Sequence, residues 1–338
     1  MNFRSDNTAT VAAEILAALT EVNKGQAPAY GDDQWSRELD ERFGAVFEHD
    51  VRVFTVATGT AANSIALASA VPPWGSILCH REAHIECDEA GAPEFFSGGA
   101  KLALIDGPAA KVTPDGVADV LRRTGRSIHS VKPSALSISQ TTERGAVYRP
   151  EEVAALGEAA RAAGLAFHMD GARFANAVAA LGCKPADISW RAGVDLLTFG
   201  ATKNGALAAE AIVCFNPTYA EEIAHRRKRG GHLLSKNRYI AAQFLAYFEN
   251  DLWLKLAARA NGLARKLGEA AGAHVTLPVE SNQVFLKPGA AGLAKLRAAG
   301  AEFYDWGSEG SGEIRLVVSW NQNEGDVEAM RSLLKSLR

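Results

Sequence analysis

Seven short apolar runs punctuate the chain: "VRVFTV" from residue 51, "SILCH" from 76, "KLALI" from 101, "KPSALSIS" from 132, "LAFHMD" from 165, "VDLLTF" from 194 and "EAIVCF" from 210. Alanine-rich segments of helical period separate them. Strands apolar on both faces must be covered on both, and strands that alternate with helices pair in parallel, with each helix as a crossover. The expected fold is α/β, with a mostly parallel seven-stranded sheet. One intervening helix is legible from its ends: "PEEVAALGEAARAAG", Pro150 to Gly164, opens with Pro and two acids and closes on Gly. Only the runs at 194 and 210 are joined too closely for a crossover helix, so these two are expected to be antiparallel neighbours.

A chain of 338 residues exceeds the size at which one core stops growing. Near residue 225 the pattern changes to the basic stretch "HRRKRGGHLLSKNRY", followed by what reads as one long helix, roughly Ile240 to Gly272. The segments "HVTLPVESNQVFLKP", "EFYDWG" and "EIRLVVSW" then suggest a small α+β unit with an antiparallel sheet. The expected division is a large domain over 1–240 and a small C-terminal domain over 241–338. A net charge of −3 offers no field for nucleic acid or acidic lipid. The four cysteines form no CxxC pair and read as reduced core thiols, with no metal site implied. No signal peptide and no run of about 18 apolar residues is visible, so cytoplasmic residence is the expectation.

In an open α/β sheet, ligands bind beyond the carboxyl ends of the strands. The residues there form a set. Gly59 and Thr60 of "ATGTAANSIALASA" open a helix whose free N–H groups suit a phosphate, although an ordinary strand-turn-helix has the same pattern. Asp170 of "HMDGAR" ends an apolar strand, where a carboxylate requires a cation, and Arg173 is the local candidate. Lys203 sits on the short connection between the last two runs with no acid within six positions. His84 and Asp88 of "EAHIECDEAGAP" are spaced i, i+4, so one face of a short helix could carry both. An anion site, a buried carboxylate for a pyridine nitrogen, an isolated amine for a Schiff base and a flat imidazole are together what pyridoxal phosphate requires.

The ordered segments "FRSDN", "AYGDDQW", "TGTAANSIAL", "AHIECDEAGAPEFF", "IHSVKP", "HMDGARFANA", "FGATKNG" and "EIRLVVSW" span nearly the whole chain. With them the sequence resembles the fold-type-I pyridoxal-phosphate (aspartate-aminotransferase-like) enzymes, specifically the low-specificity L-threonine aldolases of the β-eliminating lyase family. The resemblance implies that Lys203 is the Schiff-base lysine and that Asp170 pairs with the pyridinium nitrogen. It implies that Arg173 reaches the ring hydroxyl or the substrate carboxylate, and that Gly59 and Thr60 hold the phosphate. Ser5 and Arg315 would bind the substrate carboxylate, with Asp88 also on the substrate side. His84 would stack on the cofactor, His129 would be a second histidine on the leaving side, and the β-hydroxyl proton would be taken by His84, His129 or a water held between them.

His129 precedes its strand, away from the cleft of its own subunit, which leaves a neighbour's site or a structural role open. Other branches carry "ENTHN" where this chain has "SQTTERG", so a histidine gives way to the acidic Glu143. The implied reaction is cleavage of threonine, allo-threonine or phenylserine-like amino acids to glycine and an aldehyde, in a homotetramer built as a dimer of dimers. In that assembly the basic stretch Arg226 to Arg238 could lend a cation to a neighbour's phosphate. β-Elimination, amino-group transfer, or cofactor binding without turnover are the alternatives on this scaffold.

Overall fold

The computed structural model describes residues 1–125 and 127–337. All seven apolar runs form strands: β1 (Arg52–Val56), β2 (Gly75–His80), β3 (Lys101–Ile105), β4 (Lys132–Ser139), β5 (Ala166–Gly171), β6 (Leu196–Gly200) and β7 (Glu210–Cys214). They make one sheet in the order β1-β7-β6-β5-β4-β2-β3. The pairs β2/β3, β2/β4, β4/β5 and β5/β6 are parallel, whereas β7 runs antiparallel to both β6 and β1. The cause is local. The link between Gly200 and Glu210 holds a single 3-10 turn, Thr202–Asn204, and no crossover helix.

Strands β2, β5, β6 and β7 are buried along their whole length, as strands covered on both faces must be. Part of the cover is aromatic: Phe199 of β6 lies 5.4 Å from Phe43 and 5.6 Å from Phe248 between ring centroids. That packing anchors the strand leading into Lys203. Just past the lysine, Asn204 Nδ2 donates to Tyr247 Oη (2.6 Å) and to the Trp253 carbonyl (2.9 Å). The amine is thus carried on a short turn fixed to the core on both sides.

The long helix expected from Ile240 to Gly272 is two helices, Arg238–Phe248 and Leu252–Ala271. Asn250 and Asp251 between them adopt left-handed backbone, at φ 50° and 55°. Asn and Asp tolerate that region better than most residues, and here they break an otherwise continuous apolar pattern. The first helix and the start of the second, through Ala257, pack in the large core, whereas Leu263 onward packs in the small one. The second helix thus contributes residues to both cores.

The small sheet is antiparallel, β8 (Gln283–Leu286), β9 (Tyr304–Trp306) and β10 (Glu313–Val317) in the order β8-β10-β9. The chain's first residues join it: the Phe3 N–H donates to the Glu302 carbonyl and the Phe3 carbonyl accepts from the Val317 N–H, each at 2.8 Å. The Phe3 ring is fully buried in the small core. Of the cysteines expected in the interior, Cys79 and Cys214 are buried, Cys183 is half-buried and Cys87 is exposed, because it ends a surface helical turn. Among the described residues no helix is long and apolar enough to cross a membrane.

Candidate active site

Ser139 of β4, Asp170 of β5 and Thr198 of β6 stand side by side in register, Ser139 and Asp170 at the carboxyl ends of their strands. A cavity of about 460 Å³ opens beyond them. Ser5, His84, Asp88, Asp170, Arg173, Lys203 and Arg315 all line it. Residues from the N-terminal arm, the large sheet and the small sheet therefore meet in one place, at the position that the strand directions dictate.

Asp170 is not paired with Arg173, contrary to the local expectation. Its Oδ2 accepts from Asn63 Nδ2 (2.8 Å) and its Oδ1 from the Ala172 N–H (2.9 Å). Burial alone would raise its pKa, but His84 and Lys203 nearby and these two donors outweigh it, and the carboxyl lies below its ordinary value. His84 opens the short helix His84–Cys87, and its Nδ1 bonds Glu89 Oε1 at 2.8 Å. Burial disfavours the imidazolium, yet the Glu89 and Asp170 carboxylates prevail and raise the pKa of His84. Asn63 Nδ2 also donates to Glu89 Oε1 (2.8 Å), so Glu89, Asn63 and Asp170 form one buried network beneath the imidazole.

The three cations of the cavity differ in their partners. Arg173 holds Asp6 through two bonds, Nε to Oδ2 (2.7 Å) and Nη2 to Oδ1 (2.9 Å), with both residues largely buried. Asn282 Nδ2 adds a third donor to Asp6 (3.0 Å). Among the described residues Lys203 and Arg315 make no side-chain hydrogen bond and no ion pair. The Arg315 guanidinium lies 4.3 Å from the Trp306 ring centroid, its Nε is buried without a partner, and burial lowers its pKa to about 10. A buried cation left in this state is a place for an anion to bind.

Gly59 and Thr60 form the first turn of the helix Gly59–Ala70, capped by Thr58, whose hydroxyl accepts from the Ala61 N–H. The turn sits against Glu210 of β7, whose Oε2 would lie 3.9 Å from a Cβ on Gly59. Burial pushes the Glu210 carboxyl up to about 7, and its Oε2 has no partner. His129 is not brought to this cavity. It lies exposed on the turn before β4, beyond the opposite end of that strand from Ser139. Geometry gives it no part in the site of its own subunit.

A family model described as beta-eliminating lyase matches residues 2–288. The chain belongs to the beta-eliminating lyase family. Within that family it is 44% identical over 340 residues to a low specificity L-threonine aldolase of Pseudomonas aeruginosa, covering 99% of this chain and 96% of the relative. A solved threonine aldolase of Leishmania major superposes with a TM-score of 0.93 at 28% identity, over 99% of both chains. Aspartate aminotransferase of Thermus thermophilus, at 15% identity and a TM-score of 0.73, shares the fold, covering 100% of this chain and 96% of its own. The architecture is thus that of the fold-type-I enzymes, and family membership implies dependence on their cofactor.

Three buried acids of this beta-eliminating lyase site escaped the sequence. Asp6 stands next to Ser5, but its partner Arg173 is 167 positions away. Glu89 lies five positions from His84, off the i, i+4 face that drew attention to Asp88. Glu210 carried a usable signal, an acid opening the apolar run "EAIVCF", which is the same kind of signal that singled out Asp170.

Proposed function

We propose that the protein is a pyridoxal-5'-phosphate-dependent aldehyde-lyase that cleaves L-threonine, L-allo-threonine and related β-hydroxy-α-amino acids to glycine and an aldehyde. The observation that carries this reading is the pairing of the cations: Arg173 is neutralised by Asp6, while Lys203 and Arg315 line the same cavity without hydrogen bond or ion pair among the described residues. The residues fit the cofactor. Lys203 would attach it, Asp170 would hold its ring nitrogen protonated, His84 would lie against the ring, and the N–H groups of Gly59 and Thr60 would receive its phosphate. Glu210 beside that turn is compatible with a phosphate because burial favours its neutral form. When bound, the cofactor supplies the electron sink that accepts the pair released on Cα–Cβ cleavage.

The chain's own residues set which bond breaks. Arg315, largely buried and without an ion pair among the described residues, lines the cavity and receives the substrate carboxylate, with Ser5 in the same lining. Arg173 has two of its nitrogens committed to Asp6, so the carboxylate falls first to Arg315. Clamping that group orients Cα and decides which of its bonds is aligned for cleavage. The names of the relatives favour aldol cleavage over elimination or amino transfer. We place the enzyme in the cytoplasm as a homotetramer. Exposed Leu207, on the connection that carries Lys203, suits a subunit contact there.

The test is a substrate panel with product identification. Acetaldehyde and glycine from threonine are expected; pyruvate from serine without aldehyde from threonine would mean elimination, and a 2-oxo acid would mean amino transfer. Borohydride reduction of the yellow protein should leave the cofactor on Lys203, and Lys203→Ala should retain none. Cofactor recovered on another lysine of the wild-type chain would refute the assignment.

A further inference from the structure

Aldol cleavage of a β-hydroxy amino acid needs a group to take the hydroxyl proton at neutral pH. His129 lies outside the cavity, and His84 has Nδ1 engaged by Glu89. The same cavity holds a second candidate pair of side chains. Ser139, the last residue of β4, donates through Oγ to Glu143 Oε1 at 2.5 Å, and the His84 N–H donates to the same oxygen at 2.9 Å. Both Ser139 and Glu143 line the cavity with Lys203 and Arg315. Glu143 Oε2 is shielded from solvent and has no hydrogen-bond partner.

We propose that Ser139 and Glu143 are the proton acceptor for the substrate β-hydroxyl, with Ser139 Oγ touching the hydroxyl and Glu143 drawing the proton through it. The inference rests on the aldolase reading above and deepens it. Because Ser139 spends its own proton on Glu143, its oxygen presents lone pairs to the cavity and acts as an acceptor. In the step, the substrate hydroxyl proton passes to Ser139 Oγ as the Ser139 proton passes to Glu143 Oε1. The Cβ–O bond becomes a carbonyl, the Cα–Cβ bond breaks, and its electron pair stays with the Cα fragment. That fragment later takes one proton at Cα to become glycine, so protons balance over the cycle. By this assignment Ser139 touches the substrate and relays the proton, and Glu143 is the base that receives it.

Burial pushes the Glu143 carboxyl up to about 7, while the bonds from Ser139 and the His84 N–H pull the other way. The titratable groups around it are Cys79 of β2, His84 and Cys87 of the short helix, Tyr148 beyond the β4 loop, Asp170 of β5, and Arg173. Asp170 raises the carboxyl further, and the Arg173 cation opposes it. The accepting form is the carboxylate, present above that value, so cleavage should rise with pH through the region near 7.

The experiment compares two reactions of the holoenzyme. Threonine cleavage needs the β-hydroxyl acceptor; exchange of the glycine Cα proton with deuterated water, followed by NMR, needs the cofactor, Lys203 and the carboxylate clamp but no β-hydroxyl. For Ser139→Ala and Glu143→Gln, kcat for cleavage should fall about 10²-fold or more while glycine exchange stays within roughly threefold of wild type. The rise of kcat through neutral pH should vanish in Glu143→Gln, and Ser139→Thr, which keeps a hydroxyl, should recover much of the loss. Equal losses in cleavage and exchange, or cleavage left near wild type in both variants, would overturn the assignment. A wild-type protein that exchanges glycine but releases no aldehyde would overturn the aldolase reading, and this inference with it.

Discussion

Single residues were legible where a charge interrupts an apolar run. Lys203 and Asp170 stood out in this way, and both line the cavity. Partners were not legible, because burial gathers them from distant segments: Asp170 meets Asn63, 107 positions away, and Arg173 meets Asp6. Asp170→Asn preserves shape but removes the charge that would keep a bound ring nitrogen protonated. Activity should fall at least about 10²-fold with little change in thermal stability; an equal loss of stability with no specific catalytic defect would make Asp170 a structural residue only. Glu210 is a different case. Its carboxyl is 6% exposed and is raised from 4.5 to about 7, the reverse of the usual acid. Such a group costs the folded state nothing below the unfolded value, and the cost grows as pH rises to the folded one. Above that it is roughly 3 kcal/mol, at 1.36 kcal/mol per pKa unit. Glu210→Gln should therefore stabilise the apoprotein at pH 8 and change it little at pH 4, measured by thermal unfolding; equal effects at both pH values would count against a buried, raised carboxyl.

Elements were read better than their junctions. The seven strands and the antiparallel final pair follow from apolar runs and link lengths, which are local properties. The break at Asn250–Asp251 was missed because helical periodicity continues across it, and two residues in left-handed backbone leave only a weak mark in sequence. Close approach between elements is also invisible in sequence. Gly157 lies in the middle of the helix Pro150–Ala163, where propensity favours replacing it. Gly157→Ala would gain up to about 1 kcal/mol of helix propensity. Its Cβ, however, would sit 1.9 Å from the Ala192 carbonyl oxygen, which is backbone and cannot swing aside. Overpacking costs about 1–3 kcal/mol and should win. The variant should unfold at lower denaturant concentration than wild type, and a stabilised variant would mean that this helix is free to shift away from the Trp190–Ala192 turn.

At the scale of the molecule, the large and the small sheet supply one site, and the N-terminal arm helps to tie them together. Phe3 is buried in the small core, while Asp6, three residues on, is held both by Arg173 of the large domain and by Asn282 next to β8. Arg315 enters from the small sheet, so the proposed carboxylate clamp and the Lys203 amine stand on different sheets, which this arm helps to tie together. From that arrangement the stereochemical outcome follows. On the proposed function, the amino group would be presented at the Lys203 side of the cavity, the carboxylate at Arg315 and Ser5, and Cα–Cβ would be the bond aligned for cleavage, which together would fix the configuration at Cα. The β-carbon is less constrained. Its hydroxyl needs only one acceptor within hydrogen-bond reach, and in a cavity of about 460 Å³ the Ser139 oxygen, its proton held by Glu143, offers two lone pairs that can meet it from more than one direction. L-Threonine and L-allo-threonine should therefore both be cleaved, with kcat/KM values within roughly two orders of magnitude of each other, and the two D-isomers should be spared. Acetaldehyde release from the four stereoisomers measures this directly. Cleavage of D-threonine at a rate near that of the L-isomer would refute the carboxylate clamp, whereas strict rejection of one L-isomer would leave the clamp intact and show that the acceptor is held in one rigid direction.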